Sequence, residues 1–305
     1  MPRAYSCYPR STPARAALIT GRFPHATGVI KDGAPVPASE VTIGAVLKAA
    51  GYRVDSLQIA PALKFLEENR SVPFFLQVWL DPPRVPGFSD AARLHPRENV
   101  TSEDARERLA RTYGTWSTLD RDLGYLMKAL ERLGLVDDTI VIFTSDHGQQ
   151  LGSHGLDGDD VAFEESVRIP LAIRYPRAVR PGPSDLLMSQ LDLMPTLLGF
   201  CGEAAPEGVQ GHDLSGLLRG EKGERPESLY AEGRIGQRDE WRMLVLGSDK
   251  LVINAQAEVT HLFNLADDPY ELTNLAHEPA VQLKRDQLAA LLRTSMRKVG
   301  DFKKR

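Results

Sequence analysis

Cysteine is nearly absent: Cys7 and Cys201 are the only two, at opposite ends of most of the chain. Two distant thiols make neither a disulfide framework nor a zinc site. Long apolar runs are missing as well. No stretch approaches the about 18 consecutive apolar residues of a membrane span, so no membrane partner is expected. The opening "MPRAYSCYPR" lacks the apolar core of a secretory leader, and none is expected. Positive charge is also short: 37 Lys and Arg face 41 Asp and Glu, with no basic stripe, which argues against nucleic acid as a partner. Repeats and low-complexity blocks are absent. What is present is a hydrophobic fraction of 42% over 305 residues, enough for a substantial core in one large domain or two.

Helical patterns alternate with short apolar runs, the mark of an α/β layer architecture. The run after Pro13, "ARAALIT", reads as a helix closed by Gly21. Further helices are expected at 39–51, with Ser39 as N-cap, and at 60–69, 191–202 and 279–298. A long helix is expected over 102–134, with Leu119, Leu123, Leu126, Met127, Leu130 and Leu133 on one core-facing side. "PFFLQVWL" (73–80), "TIVIFTSDHG" (139–148) and "RIPLAIRYP" (168–176) read as strands, the second as the clearest buried one. Residues 203–229 read as a linker with one short helix. "EWRMLVLG", "DKLVINA" and "THLFNL" then read as short antiparallel strands. The organisation expected is a large α/β domain, 1–225, with a mostly parallel central sheet flanked by helices, and a small α+β domain, 226–305, with an antiparallel sheet.

Two motifs carry chemistry. In "STPARAALITG" a hydroxyl stands at a helix N-terminus, where free N–H groups and the helix dipole favour anions. Pro13 suits the first helical turn. Arg15, four residues after Ser11, can fold back to the same place and bind a tetrahedral oxyanion bidentately. The plain alternative is that Ser11 caps the helix and Arg15 is solvated. The second motif, "SDHG", puts Asp146 and His147 at the carboxyl end of a strand, where open α/β sheets bind ligands. Asp suits a hard cation and His can hydrogen-bond or ligate; a strand-to-loop cap is the alternative.

Taken together these segments resemble the sulfatases. "STPARAALITGRFPHATGV" is similar to the family signature in which a Cys or Ser is followed by x-Pro-x-Arg. "TIVIFTSDHGQQLGSHG…FEESVRIPLAIRYP" resembles the second signature, and "LDLMPTLL" and "HLFNLADDPYELTNLA" resemble later segments. The resemblance implies an alkaline-phosphatase-like α/β fold with a small C-terminal sheet domain. It implies a sulfuric ester hydrolase, arylsulfatase-like, acting on a sulfate-ester small molecule or a sulfated glycan. It implies a divalent cation, Ca2+, and a formylglycine made from Ser11 by a separate maturase of the serine type. Arg15 matches the motif arginine that holds the aldehyde hydrate. Asp146 and His147 match metal ligands, with Ser11 as a third.

The sequence also departs from the family pattern. The strand ending in paired aspartates that the family carries before its nucleophile has no counterpart ahead of Ser11, so calcium, which takes six to eight oxygens, lacks donors. After "AAGYRV" a Lys- and His-bearing segment is missing, as though an internal piece were absent. Arg84 stands where a histidine is usual; it can bind an anion but cannot act as a general acid near neutral pH. Asp159 stands where a sulfate-binding lysine is common. His154 is expected to line the substrate site with Arg84. His25 is expected to pack, Glu164 and Glu165 to be an exposed or capping pair, and Lys250 and Asp268 to be scaffold residues of the small domain. Two other functions stay open: a catalytically degenerate relative or gene fragment with a binding or scaffold role, and a phosphate or phosphonate ester hydrolase.

Overall fold

Apolar side chains recur at the helical and the extended period in turn, and the backbone follows them. The computed structural model describes residues 1–80, 102–156 and 158–301. Strand β1 (Ala4–Tyr5) leads into α1 (Ser11–Thr20) and a short α2 (Pro24–Thr27). Then come α3 (Ile43–Ala49), β2 (Arg53–Leu57), α4 (Ile59–Glu68), β3 (Phe74–Val78) and the long α5 (Ser102–Arg132). β4 (Val141–Thr144), α6 (Glu164–Val167), β5 (Leu171–Arg174), β6 (Met188–Ser189), α7 (Leu193–Cys201) and α8 (Ser215–Leu218) follow. The C-terminal part holds β7 (Ser228–Gly233), β8 (Trp241–Leu246), β9 (Asp249–Asn254), β10 (Val259–Asn264) and α9 (Gln282–Val299). Among the described residues no helix is long and apolar enough to cross a membrane.

The α/β architecture is the one expected, with a difference in the sheet. β1 pairs in parallel with β6, and β2 with β3, but β4 runs antiparallel to β5. β1 also lies along the entry to β5: Tyr5 bridges Arg168, and the Met1 amino group donates to Leu171 O at 2.7 Å. The β2–β3 pair is packed on both faces. Val54 and Phe75 meet Ile43, Leu47, Met194 and Leu198 of α3 and α7. Phe74 and Leu76, one residue out of phase, meet Leu66 of α4, Leu126, Met127 and Leu130 of α5, and Leu133 just past its end. The strand period of two sends neighbours to opposite faces, and the leucine stripe of α5 fills the space beneath.

Three expectations need correction. The helix expected to start at Ser39 starts at Ile43, because Thr42 is the residue that caps it, its Oγ1 accepting from Ala45 N–H at 3.2 Å. β4 is not deeply buried: Phe143 is 39% exposed, because β4 has a single strand partner among the described residues. The supposed linker ends at β7, whose Glu232 looks out of place in a strand but is fully buried on partners far away in sequence.

The C-terminal sheet has the order β10–β9–β8–β7, antiparallel throughout. One face packs Leu244, Leu251 and Ile253 with Leu288 and Leu292 of α9, and with Cys7, Tyr8 and Phe23 from the start of the chain. The other packs Leu229, Met243 and Val245 against Tyr5, Val167 and Leu187. The segments that carry Ser11 and follow Asp146 are thus wedged against this sheet.

Candidate active site

Ser11 is the first residue of α1, and the cap position belongs to Arg10, which makes no side-chain cap bond. The capping work is done from a distance: Asp32 accepts the Thr12 N–H at 3.0 Å and pairs with Arg10 Nε at 3.0 Å. Neighbouring cationic and amide groups outweigh the burial of the Asp32 carboxyl and hold its pKa below the ordinary value. The simple reading of Ser11 as helix cap is therefore wrong. Its hydroxyl is left for another partner.

That partner is His147. Ser11 Oγ lies 3.1 Å from His147 Nε2. The other ring nitrogen, Nδ1, lies 2.7 Å from Gly148 O, a group that can only accept. The neutral ring therefore carries its proton on Nδ1, and Nε2 is the lone pair that receives the Ser11 O–H. One turn along α1, Arg15 Nε donates to Asp146 Oδ2 at 3.0 Å. The Arg15 guanidinium also stands 4.7 Å from the Trp79 ring centroid, a cation–π contact that fixes its plane. The structure thus brings together Ser11, Arg15, Asp146 and His147, which the chain separates by more than a hundred residues.

The 145–148 turn is built to hold this arrangement. Ser6 Oγ donates to Asp146 O at 2.7 Å, and Gln190 Nε2 to the same oxygen at 3.3 Å. Gly148 N–H donates to Ser166 O at 2.8 Å. A Cβ at Gly148 would fall 2.0 Å from Glu165 O, so only glycine allows the turn to close on α6. Ser6, Gln190 and Asp32, which also support the site, carried no signal of their own in the sequence. Only Trp79 had one available, as the aromatic at the end of an apolar strand.

Not every expected residue reaches this place. His154 stacks on Phe163, with centroids 3.8 Å apart, and meets Glu165 at 3.4 Å. The pairing with His154 outweighs burial and keeps the Glu165 carboxyl below its usual pKa. Arg84 lies outside the described residues. Asp159 does approach: its Oδ2 is 3.6 Å from His147 Nε2. Next to it Asp160 meets Arg10 at 3.4 Å, and burial pushes its carboxyl up.

Glu164 is not an exposed partner of Glu165 but a buried one of Lys250. Lys250 is fully buried, 3.1 Å from Glu164 and 2.7 Å from Glu271. Burial alone would favour the neutral amine, but the two carboxylates outweigh it and raise the Lys250 pKa. Tyr5 O–H donates to Glu164 at 3.2 Å, and Glu271 accepts the Glu164 N–H at 2.6 Å. Asp268 holds a turn, accepting from Leu272 and Thr273 N–H. His25 packs: its ring stacks on Phe23 and its Nδ1 is 2.7 Å from Glu232.

Calcium requires six to eight oxygen ligands at 2.3–2.6 Å. Around Ser11 the described residues offer one hydroxyl, one imidazole nitrogen and the carboxylates of Asp146 and Asp159. Asp146 is already engaged on both oxygens, Oδ2 by Arg15 and Oδ1 by the His147 N–H at 3.0 Å. The donor set does not fit the ion. Two other groups, His25–Glu232–Asp301 and His154–Glu165–Glu271, bring three metal-capable atoms within 4.8 Å, but Arg242 and Lys250 already neutralise carboxylates in each.

The chain is similar to known proteins over most of its length. The family model for sulfatases matches residues 1–58 and 55–203, the two pieces meeting where an internal segment looked absent. A second model, the C-terminal part of N-sulphoglucosamine sulphohydrolase, matches residues 152–298. An endo-4-O-sulfatase of Bacteroides thetaiotaomicron is 29% identical over 267 residues, 75% of this chain and 52% of that protein. The chain thus spans about half the length of that relative. A solved 2-O GAG sulfatase superposes with a TM-score of 0.84 at 20% identity, over 99% of this chain and 84% of that one. The phosphonate monoester hydrolase of Agrobacterium radiobacter does so with a TM-score of 0.84 at 20% identity, over 97% of this chain and 88% of that one. A motif pair that converges in space, the α/β fold with its C-terminal sheet, and a family match across most of the chain lead to one assignment: the chain belongs to the sulfatase family.

Proposed function

We propose that this chain is a sulfuric ester hydrolase whose nucleophile is made from Ser11. The observation that carries the reading is the meeting of Ser11 Oγ with His147 Nε2 at 3.1 Å beside the Arg15–Asp146 pair. Sulfatases in general work with a formylglycine and a divalent cation, and the position of Ser11 suits the first of these. It opens α1, is only half-buried, has a proton acceptor at 3.1 Å, and is followed one helical turn along by the Arg15 guanidinium. A formylglycine there, hydrated by one water, would supply one carbon with two hydroxyls, one to take up the sulfuryl group and one whose deprotonation would expel sulfate and restore the aldehyde. An unmodified serine has a single hydroxyl and no such internal release.

The chain's own residues then have defined work. Arg15, held by Trp79 and Asp146, presents its guanidinium to the tetrahedral anion and offsets the charge that develops on its oxygens. His147, with its proton fixed on Nδ1, uses Nε2 to accept the hydroxyl proton at position 11. Asp146 orients Arg15. Because the described residues do not fit calcium, no step is assigned to a cation. The substrate is a sulfate ester, of a small molecule or a glycan, and the maturation of Ser11 needs a serine-type maturase as partner.

The test is mass spectrometry of the peptide containing Ser11 after production alongside such a maturase. Loss of two hydrogens at position 11 supports the hydrolase. Unmodified serine in that background, and in the native host, contradicts it. The same result would favour the second reading, a non-catalytic relative, which draws on Asp159: a carboxylate 3.6 Å from His147 adds negative charge where a sulfate must bind.

A further inference from the structure

Two features of the site meet at one carboxylate. Asp146 is the residue that the family resemblance marks for a divalent cation, yet its Oδ2 accepts from Arg15 Nε at 3.0 Å. Arg15 is not loosely placed there. Its guanidinium lies 4.7 Å from the Trp79 ring centroid, so the aromatic face on one side and the carboxylate on the other fix it. Both side chains are only partly exposed, 35% for Arg15 and 16% for Asp146, so water screens the pair incompletely. The other Asp146 oxygen receives the His147 N–H at 3.0 Å.

We infer that Arg15 is the built-in cation of this site, and that its clamp on Asp146 excludes a divalent metal ion from the same carboxylate. The argument is electrostatic and steric together. A hard cation bound to Asp146 would need an oxygen that a guanidinium nitrogen already faces, and it would sit beside a unit positive charge. Removing that charge, in contrast, leaves the Asp146 and Asp159 carboxylates 4.0 and 3.6 Å from His147 Nε2 without the guanidinium that faces Asp146. The loss of Arg15 should therefore create cation affinity that the natural chain lacks. The inference concerns Arg15 and Asp146 alone. It holds whether or not Ser11 is converted, so its failure and the failure of the sulfatase reading are told apart by using the unmodified chain.

Trp79 supplies the readout. Terbium is an oxygen-seeking analogue of calcium, and its luminescence is sensitised by a nearby indole. The whole chain is titrated with terbium, and in parallel with calcium by calorimetry, for the natural sequence and for Arg15→Gln and Arg15→Met. The methionine keeps an unbranched side chain at position 15 without the charge. Circular dichroism and melting curves check that each variant is folded. Each variant should bind calcium at least about tenfold tighter than the natural chain, the scale of one charge–charge interaction at a partly screened site. Both should gain terbium luminescence, which Asp146→Asn in the same background removes. Submillimolar calcium binding by the natural chain that Asp146→Asn abolishes would overturn the inference. So would folded Arg15 variants that bind no tighter than the parent.

Discussion

Asp159 Oδ2 stands 3.6 Å from His147 Nε2, the nitrogen that also meets Ser11. A sulfate entering beside Ser11 meets that carboxylate as a like charge, and like charges about 4 Å apart repel by about 1 kcal/mol even at the dielectric of water. Asp159→Asn should therefore tighten the binding of inorganic sulfate about fivefold, measured by calorimetry. An unchanged affinity would place Asp159 outside the anion's reach. His147 is read through its tautomer: the Gly148 carbonyl fixes the proton on Nδ1 and leaves Nε2 to accept. Gly148 itself is dictated by space. Gly148→Ala would drive a methyl group against Glu165 O, 2.0 Å from the ideal Cβ, and should cost more than about 3 kcal/mol in denaturant unfolding. A variant as stable as the parent would show that the 145–148 turn has room to shift.

Among the elements, α1 and the turn after β4 make the site, and α6 locks that turn to the C-terminal sheet. Lys250 on β9 reaches Glu164 at the start of α6 and Glu271 beyond β10. Lys250→Met would leave two buried carboxylates without their cation and should cost about 3–5 kcal/mol, read as a lower denaturant midpoint. A midpoint equal to the parent's would mean the carboxylates find other partners. The elements were readable where periodicity is strong: α1 up to Gly21, the leucine-striped half of α5, and strands β8 to β10. "STPAR" and "SDHG" stand out by local spacing, but spacing leaves the helix-cap and strand-cap readings open, and it is the family resemblance that joins the two motifs into one candidate site. What escaped has a common physical cause, dependence on contacts distant in the chain. β7 hides in a charged stretch because Glu232 is neutralised by His25, some two hundred residues away. α1 is capped by Asp32 across a loop rather than by Ser11. Glu164 reads as a surface residue until Lys250 is brought to it.

For the molecule as a whole, the start of the chain and the C-terminal sheet share one core, and polar contacts tie them as well. His25 is half-buried against Glu232 of β7, and its Nε2 lies 3.1 Å from Val299 O at the end of α9. Burial opposes a charged ring, but the hydrogen bond and charge of Glu232 outweigh it, so the His25 pKa is raised above 6.5. A raised folded-state pKa stabilises fully below pH 6.5 and is lost as pH rises through the folded value. The melting temperature of the natural chain should thus fall more steeply above that range than that of His25→Gln. Parallel profiles would remove His25 from the tie between the two parts. Through Cys7, Tyr8 and Phe23 the same core also sets where α1 points, and so where Ser11 stands relative to His147.

The account rests on Ser11 and Arg15 forming one working pocket with Asp146 and His147, and turnover of an aryl sulfate by the chain converted at position 11 tests this most directly. Hydrolysis is predicted that disappears in Ser11→Ala and falls about 10²–10³-fold in Arg15→Gln, the usual size of losing a group that stabilises transition-state charge. A converted chain that hydrolyses aryl sulfate no faster than Ser11→Ala would contradict the account.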